Sequence, residues 1–147
     1  MIDKAKIQDD LHQAMRLRDK PLVQALRLIS AAIKQVEVDE RIEVNDERLL
    51  SILSKMAKQR QESIDQYRLA NRLDLVAQEE YELKLIQAYL PQPLSETELM
   101  VIIEKTIQEQ SASSIRDMGK VMNVLRPQLT GRADLSKVSE LIKQHLA

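Results

Sequence analysis

Cysteine is absent from this 147-residue sequence, which excludes disulfides, thiolate nucleophiles and thiolate zinc sites. Aromatic side chains are also scarce, with three tyrosines and neither phenylalanine nor tryptophan. Proteins that bind single strands by stacking need a row of aromatic faces, so this class is disfavoured. No apolar run approaches the roughly 20 residues that span a bilayer, and the N-terminal segment lacks the apolar core of a signal peptide. We expect a cytoplasmic protein without membrane attachment.

The sequence is almost as poor in glycine, since Gly119 and Gly131 are the only two. A glycine-rich loop that cradles phosphate is therefore excluded. The one serine cluster, at positions 111, 113 and 114, lacks the glycine-rich surroundings that would supply oxyanion donors, and we interpret it as helix breakers and caps. His12 and His145 lie at opposite ends of the chain, which disfavours a metal site. We predict no catalytic residues, no cofactor and no metal, and hence no enzyme.

Hydrophobic residues make up 44% of the chain and can form a core of aliphatic side chains. They recur in steps of three and four, as on one face of a helix, and no strand pattern competes. Pro91 and Pro93 interrupt this pattern and favour an extended connector. We predict an all-α protein with a four-helix N-terminal domain at residues 1–91 and a three-helix C-terminal domain at residues 92–147.

Several positions refine this expectation. The first helix, over residues 2–18, should turn Met15 inward together with Ile7, Leu11 and Ala14. On the sixth helix, Ile115 should face the core, and Pro127 should kink or end that helix. The third helix carries a run of basic residues that we interpret as an exposed face with internal ion pairs. Arg60 interrupts its apolar stripe, and reaches out from the core edge or faces a groove between the domains. Glu79, Glu80 and Glu82 are interpreted as a solvated face.

The two glycines need different explanations. Gly131 follows the sixth helix, where a residue with positive φ often ends a helix, and Asp134 can cap the next one. Gly119 lies within a helical stripe, where glycine costs about 1 kcal/mol relative to alanine. Such a cost is normally offset by the close approach of another backbone. The favoured interpretation is an adjacent helix, and the alternative is a bound RNA or partner protein.

The charge turns positive around these glycines, although the whole chain has a net charge of -1. From Ser111 onward, six basic residues face three acidic ones, a net charge of +3. Arg132 lies just before a helix N-terminus, where free N–H groups also attract phosphate. The six basic residues are Arg116, Lys120, Arg126, Arg132, Lys137 and Lys143.

Three parts of the sequence resemble the GatB/YqeY family, at a length similar to its free-standing YqeY-like members. They are RDKPLVQALRLISAAIKQVEVDER near the start, QRQESIDQYRLANRLDLVAQEEYELKLIQAYLPQPLSETEL in the middle, and DMGKVMNVL, GRAD and V-x-E-L-I-K near the end. The resemblance implies a two-part helical fold. It also implies a relation to the tail domain of the tRNA-dependent amidotransferase B subunit, which helps to hold the tRNA.

The family motif maps onto this chain residue by residue. Its apolar members are expected to pack, whereas Lys120 and Arg132 are the leading contact candidates, with Arg116, Arg126 and Lys137 beside them. The chain departs from the family at Asn123 and Leu135, where glycine is common. The matching positions are Asp117, Gly119, Lys120, Val121, Met122, Gly131, Arg132, Ala133 and Asp134.

Two functions remain open at this point. The first is a non-catalytic module that binds tRNA through phosphates and 2′-hydroxyls. The second is an adaptor that docks on an amidotransferase or another tRNA enzyme. Stand-alone carbon–nitrogen ligase activity with glutamine as amido donor is disfavoured, because the catalytic residues for it are missing.

Overall fold

The structure of the protein is a computed structural model that describes residues 3–147. The prediction of an all-α protein is confirmed for these residues, which form seven α-helices and one 3-10 turn and contain no strand. The helices are α1 (Lys4–Arg16), α2 (Lys20–Glu40), α3 (Asp46–Leu69), α4 (Leu73–Tyr89), α5 (Glu96–Glu109), α6 (Met118–Leu129) and α7 (Leu135–Leu146). The 3-10 turn, Ile115–Asp117, directly precedes α6.

Side-chain caps fix where several helices begin. Asn45 Oδ1 accepts a hydrogen bond from Arg48 N at 2.8 Å and caps the start of α3. Ser95 Oγ accepts from Glu98 N at 3.1 Å and starts α5, as the S-x-x-E pattern predicts. Each cap satisfies an N–H group that has no partner within its own helix.

The chain divides into two compact units, residues 1–90 and 91–147. In the N-terminal unit, Leu26, Ile29 and Ile33 are buried on one face of α2, as the recurrence of apolar residues in steps of three and four predicts. Met15 was placed wrongly: it is 47% exposed, while Ile7, Leu11 and Ala14 alone form the buried face of α1. Tyr89, the last residue of α4, donates a hydrogen bond to Asp10 Oδ2 and ties the end of α4 to α1.

The main core of the N-terminal unit takes residues from only part of the α3–α4 hairpin. On α3 its buried members end at Met56, and on α4 the only one is Ile86. We call residues 61–78 the distal hairpin. Within it, Ile64 and Val76 are the buried apolar residues, and neither belongs to the main core. The distal hairpin is therefore held mainly by contacts between its own two helices.

The C-terminal unit packs α5, α6 and α7 around its own core. Ile103, Val121, Leu125, Leu129, Val138 and Ile142 are completely buried there. Ile115 was placed wrongly, since it lies in the 3-10 turn and is 49% exposed. Two outcomes were predicted at Pro127, a kink or an end of the helix. The end is wrong, because α6 continues to Leu129. One turn from the C-terminus of a helix, the missing N–H of proline removes a single hydrogen bond.

Candidate nucleic-acid interface

A carboxylate organises the turn before α6. Asp117 Oδ2 accepts hydrogen bonds from Ser113 N at 2.9 Å and from Ser114 N at 3.3 Å. These bonds, together with the positive charge of Lys120, lower the pKa of Asp117. The motif aspartate is thus a structural residue that fixes the backbone on either side of Arg116, whose side chain is exposed.

Gly119 lies in the first turn of α6 and is exposed. A Cβ atom built on Gly119 would meet no atom within 4 Å outside its own helix backbone, among the described residues. The favoured interpretation, a close contact with an adjacent helix, is therefore wrong. Packing within the described chain does not require glycine at this position, although glycine destabilises a helix by up to about 1 kcal/mol relative to alanine.

The turn between α6 and α7 holds Arg132 by its backbone. Gly131 has φ of 82°, the left-handed region that favours glycine, as the sequence predicts. Arg132 N donates to Leu129 O at 2.9 Å, and Arg132 O accepts from Leu94 N at 3.0 Å. Asp134 Oδ1 accepts from Ser136 N at 3.0 Å and caps α7. The backbone of Arg132 is therefore fixed, whereas its side chain is exposed.

All six basic side chains of the C-terminal segment are exposed. The single ion pair between described residues of the C-terminal unit joins Lys105 to Glu109 on α5, with 3.9 Å between Nζ and Oε1. No carboxylate of the described chain lies within 4 Å of the charged nitrogens of the six residues, which we call the basic segment. Its members are Arg116, Lys120, Arg126, Arg132, Lys137 and Lys143.

The basic segment is spread along α6 and α7. Lys120 lies near the start of α6 and Arg132 lies beyond its end, so about 15 Å of helix separates them at 1.5 Å per residue. Lys137 is in the first turn of α7. Such a spread does not form a pocket for one small anion. It matches the dimensions of a polyanion with several phosphates along its backbone.

The basic residues of α3 and of the turn after it behave differently. Arg68 Nη2 contacts Glu80 Oε1, and Arg72 Nη2 lies 3.2 Å from Asp74 Oδ2. The interpretation of this run as a face with internal ion pairs therefore fits these two residues, although Arg68 pairs across the hairpin rather than along its own helix.

Arg60 lies where the apolar stripe of α3 is interrupted, and it contacts carboxylates of α4. Its Nε lies 2.7 Å from Glu82 Oε2 and 3.5 Å from Glu79 Oε2 on α4. The interpretation of Glu79 and Glu82 as a solvated face is wrong, because their side chains are only 19% and 12% exposed. Glu80 alone of the three is exposed. The sequence signal for this arrangement was the charged residue within an apolar stripe, but its partners lie on another helix.

Residues 3–147 contain no group of three or more His, Cys, Asp or Glu side chains arranged to hold a metal ion. His12 Nε2 contacts Gln8 Nε2 at 3.1 Å. Among the same residues no helix has the length and apolar character required to cross a bilayer.

Comparison with known proteins places the chain in a family. Residues 4–146 match the family described as Yqey-like protein. The chain belongs to this family. The resemblance in the sequence motifs is thereby confirmed, and the match covers both helical units.

Several curated relatives come from fungi. The protein named "Altered inheritance of mitochondria protein 41, mitochondrial" of Pyrenophora tritici-repentis is 30% identical over 142 residues, which cover 95% of this chain and 78% of the relative. Its namesake in Vanderwaltozyma polyspora is 42% identical over 85 residues, which cover 57% of this chain and 46% of the relative. The one in Eremothecium gossypii is 40% identical over 87 residues, covering 58% and 48%.

These names correct one expectation. We predicted a cytoplasmic location from the composition and the N-terminal residues. The relatives are named as mitochondrial proteins, so this prediction is wrong. Composition reports whether a chain can cross or enter a membrane, but it does not report the compartment in which the chain works.

Proposed function

We propose that this Yqey-like protein is a non-catalytic helical module that binds tRNA through the basic segment of its C-terminal unit. The observation that carries the proposal is the state of the six basic side chains, which are exposed and lack ion-pair partners among the described residues. Exposed cations without partners are available to phosphates, whereas paired cations must first lose their carboxylates. The resemblance to the amidotransferase tail supports tRNA as the polyanion.

The physical basis of the binding is electrostatic. Each cation that neutralises a phosphate releases condensed counterions, so the affinity falls as the salt concentration rises. With three tyrosines and no other aromatic residue, the chain cannot stack a row of bases. It recognises folded RNA by the spacing of phosphates and 2′-hydroxyl groups.

The test is the binding of total tRNA to the purified protein at several salt concentrations. The variant carries Lys120→Ala and Arg132→Ala. The matched control carries Lys6→Ala and Arg68→Ala, which remove one lysine and one arginine of the N-terminal unit that are exposed but ion-paired, with Asp10 and Glu80 respectively. We expect the control to bind like the wild type. The Lys120/Arg132 variant should bind more weakly, with a salt slope smaller by about 1 to 2 because two phosphate contacts are lost.

The proposal fails if the wild type does not bind tRNA at low salt, or if both double variants lose the same affinity. The second outcome would mean that net charge alone matters and that the basic segment has no special role. Circular dichroism of all three proteins controls for unfolding.

The second candidate function is an adaptor that docks on an amidotransferase or another tRNA enzyme. The observation in its favour is Ile115, which is 49% exposed and lies close in sequence to the open position at Gly119. An apolar contact of this kind predicts association that salt does not weaken. Binding of a purified amidotransferase at high salt, abolished by Ile115→Ser and unaffected by Lys120→Ala, would favour the adaptor over the RNA module.

The non-catalytic part of the proposal has its own test. Purified protein supplied with glutamine, ATP and mischarged tRNA should transfer no ammonia. Sustained transfer above a no-protein control would overturn it.

A further inference from the structure

Two carboxylates share one guanidinium between α3 and α4. Arg60 of α3 contributes the positive charge, and Glu79 and Glu82 of α4 contribute the negative charges, a set that we call the Arg60 cluster. Arg60 Nε is closest to Glu82 Oε2, at 2.7 Å. Because Nε–H has no hydrogen-bond partner among the described residues, this contact is an ion pair without hydrogen-bond geometry.

Glu79 is the member of the cluster whose charge is least compensated. Its Oε2 is buried, accepts no hydrogen bond from the described residues and lies 3.5 Å from Arg60 Nε. Glu82 is three residues further along α4, on the same helix face, and is nearer to the shared cation. Burial raises the pKa of Glu79, the charge of Glu82 adds to this effect and Arg60 opposes it. With both carboxylates ionised, the cluster carries a net charge of -1.

Among the described residues, no further positive charge acts on Glu79. The charged groups that act on Glu79 are Arg60 from α3 and Glu82 from its own helix. From α2, the residues that line the cleft beside the cluster are Ala25, Leu28 and Ile29, all apolar. This cleft borders Arg60 and Glu82, and it has no room for a water molecule. A single proton on Glu79 is the simplest way to balance the charge.

The Arg60 cluster lies where the hairpin leaves the main core. On the core side are Met56 of α3 and Ile86 of α4, and on the other side is the distal hairpin, residues 61–78. Beyond the cluster, only Ile64 and Val76 are buried, and the Arg68–Glu80 pair is exposed. A segment with few buried contacts opens at low free-energy cost. A change of charge at its base therefore has a large relative effect on how often it opens.

We propose that the Arg60 cluster is a pH-sensitive contact, in which Glu79 takes up one proton on mild acidification and thereby stabilises the distal hairpin. When Glu79 is protonated, the guanidinium of Arg60 faces a single carboxylate, that of Glu82, so the charges of the cluster balance. The O–H of protonated Glu79 can also donate a hydrogen bond. Loss of the proton restores a second negative charge beside a single guanidinium in a partly buried cluster, and this favours opening.

The sign of the pH dependence follows from linkage. A carboxyl whose pKa is higher in the folded hairpin than in the open one binds its proton more tightly when the hairpin is closed. The stabilisation is complete below the ordinary glutamate pKa of 4.5 and is lost as the pH rises through the higher pKa of the closed state. Most buried ion pairs give the opposite dependence, because their carboxylates have lowered pKa values.

The experiment is amide hydrogen exchange of residues 61–78, measured residue by residue by NMR at several pH values between about 4.5 and 8, in the wild type and in Glu79→Gln. The ratio of the two rates at one pH cancels the intrinsic pH dependence of exchange. The glutamine side chain mimics the protonated acid, so we expect the two proteins to exchange equally at the acidic end. Towards pH 8 the wild type should open more often, by about tenfold for each unit by which the pKa of Glu79 exceeds 4.5.

The control is Glu62→Gln, which removes a carboxylate from an exposed position of the same hairpin and should leave the ratio independent of pH. The carboxyl carbon of Glu79, followed by NMR in the wild type, gives a second readout that needs no variant. A rate ratio that does not change with pH, or a Glu79 carboxyl that titrates at or below 4.5, would overturn the proposal.

Discussion

Four of the eight arginines of the N-terminal unit, Arg48, Arg60, Arg68 and Arg72, contact a carboxylate, whereas Arg116, Arg126 and Arg132 of the C-terminal unit contact none among the described residues. The balance of charges does not cause this difference. Residues 1–90 contain fifteen basic and sixteen acidic residues, and residues 91–147 contain seven of each. The two units differ in where their acidic and basic side chains lie relative to one another.

In the C-terminal unit, most acidic residues lie on a different helix from the basic ones. Four of its seven acidic residues are on α5, and six of its seven basic residues follow Ser111. Charges on different helices of the unit form no ion pair with each other among the described residues. The comparison teaches that net charge is a poor guide to binding, and that the pairing of individual side chains decides which cations are available to a partner.

The largest expected effect comes from the core beneath the basic segment. Leu125→Ala removes a completely buried side chain of α6 and should lower the free energy of unfolding of the C-terminal unit by about 3 kcal/mol. If the basic segment binds RNA, tRNA binding should be lost with the fold of this unit. Hydrogen exchange checks whether residues 4–89 keep their protection in this variant. If tRNA binding persists after the C-terminal unit unfolds, the basic segment is not the binding surface.

A smaller effect is expected at the turn that carries Arg132. Gly131→Ala places a Cβ on a residue with φ of 82° and should cost about 1 to 2 kcal/mol. Chemical denaturation measures this loss. Gly131→Asn is the matched control, since asparagine tolerates the left-handed region and should cost less. Equal losses in the two variants would show that backbone strain is not the cause.

The substitution Gly119→Ala tests whether glycine at this position serves binding rather than stability. No described residue would clash with the new Cβ, so the substitution should raise the free energy of unfolding, by up to about 1 kcal/mol. If RNA approaches the backbone of α6 at this point, the same substitution should weaken tRNA binding. Thermal unfolding and binding are measured on the same preparation. A variant that is more stable and binds like the wild type would show that the partner does not approach Gly119.

The smallest expected effect is at an exposed ion pair of the N-terminal unit. Arg68→Ala breaks the contact with Glu80 between side chains that are 56% and 48% exposed, and should cost about 0.5 kcal/mol or less. It should leave tRNA binding unchanged, although it removes the same charge as Arg132→Ala. A loss of affinity as large as that of Arg132→Ala would erase the distinction between paired and unpaired cations.

Much of the fold could be predicted because it depends on local signals. The stripe of α2, the caps Ser95 and Asp134, and the left-handed turn at Gly131 are each specified by residues within a few positions of one another. The failures have a common cause. Met15 and Ile115 have the spacing of core residues, but whether such a position is buried depends on which helices pack against it.

The candidate site was only partly predictable for the same reason. Charge counting identified the basic segment, but whether Arg132 or Arg68 has a carboxylate partner depends on contacts between helices. The Arg60 cluster joins residues more than eighteen positions apart, and the Tyr89–Asp10 hydrogen bond spans 79 positions. Periodicity within one helix carries no information about such contacts. Gly119 could be recognised as unusual, yet only the structure shows that no neighbouring helix requires it.

The central claim is that the unpaired cations of the C-terminal unit bind RNA, and an NMR titration of the labelled protein with tRNA tests it most directly. The claim predicts that the backbone amides that shift first and most belong to residues 113–143, around the basic segment. It also predicts that amides around Arg60, Arg68 and Arg72 shift little, and that the shifts vanish at high salt. Shifts concentrated in the N-terminal unit, or no shifts at low salt, would contradict it.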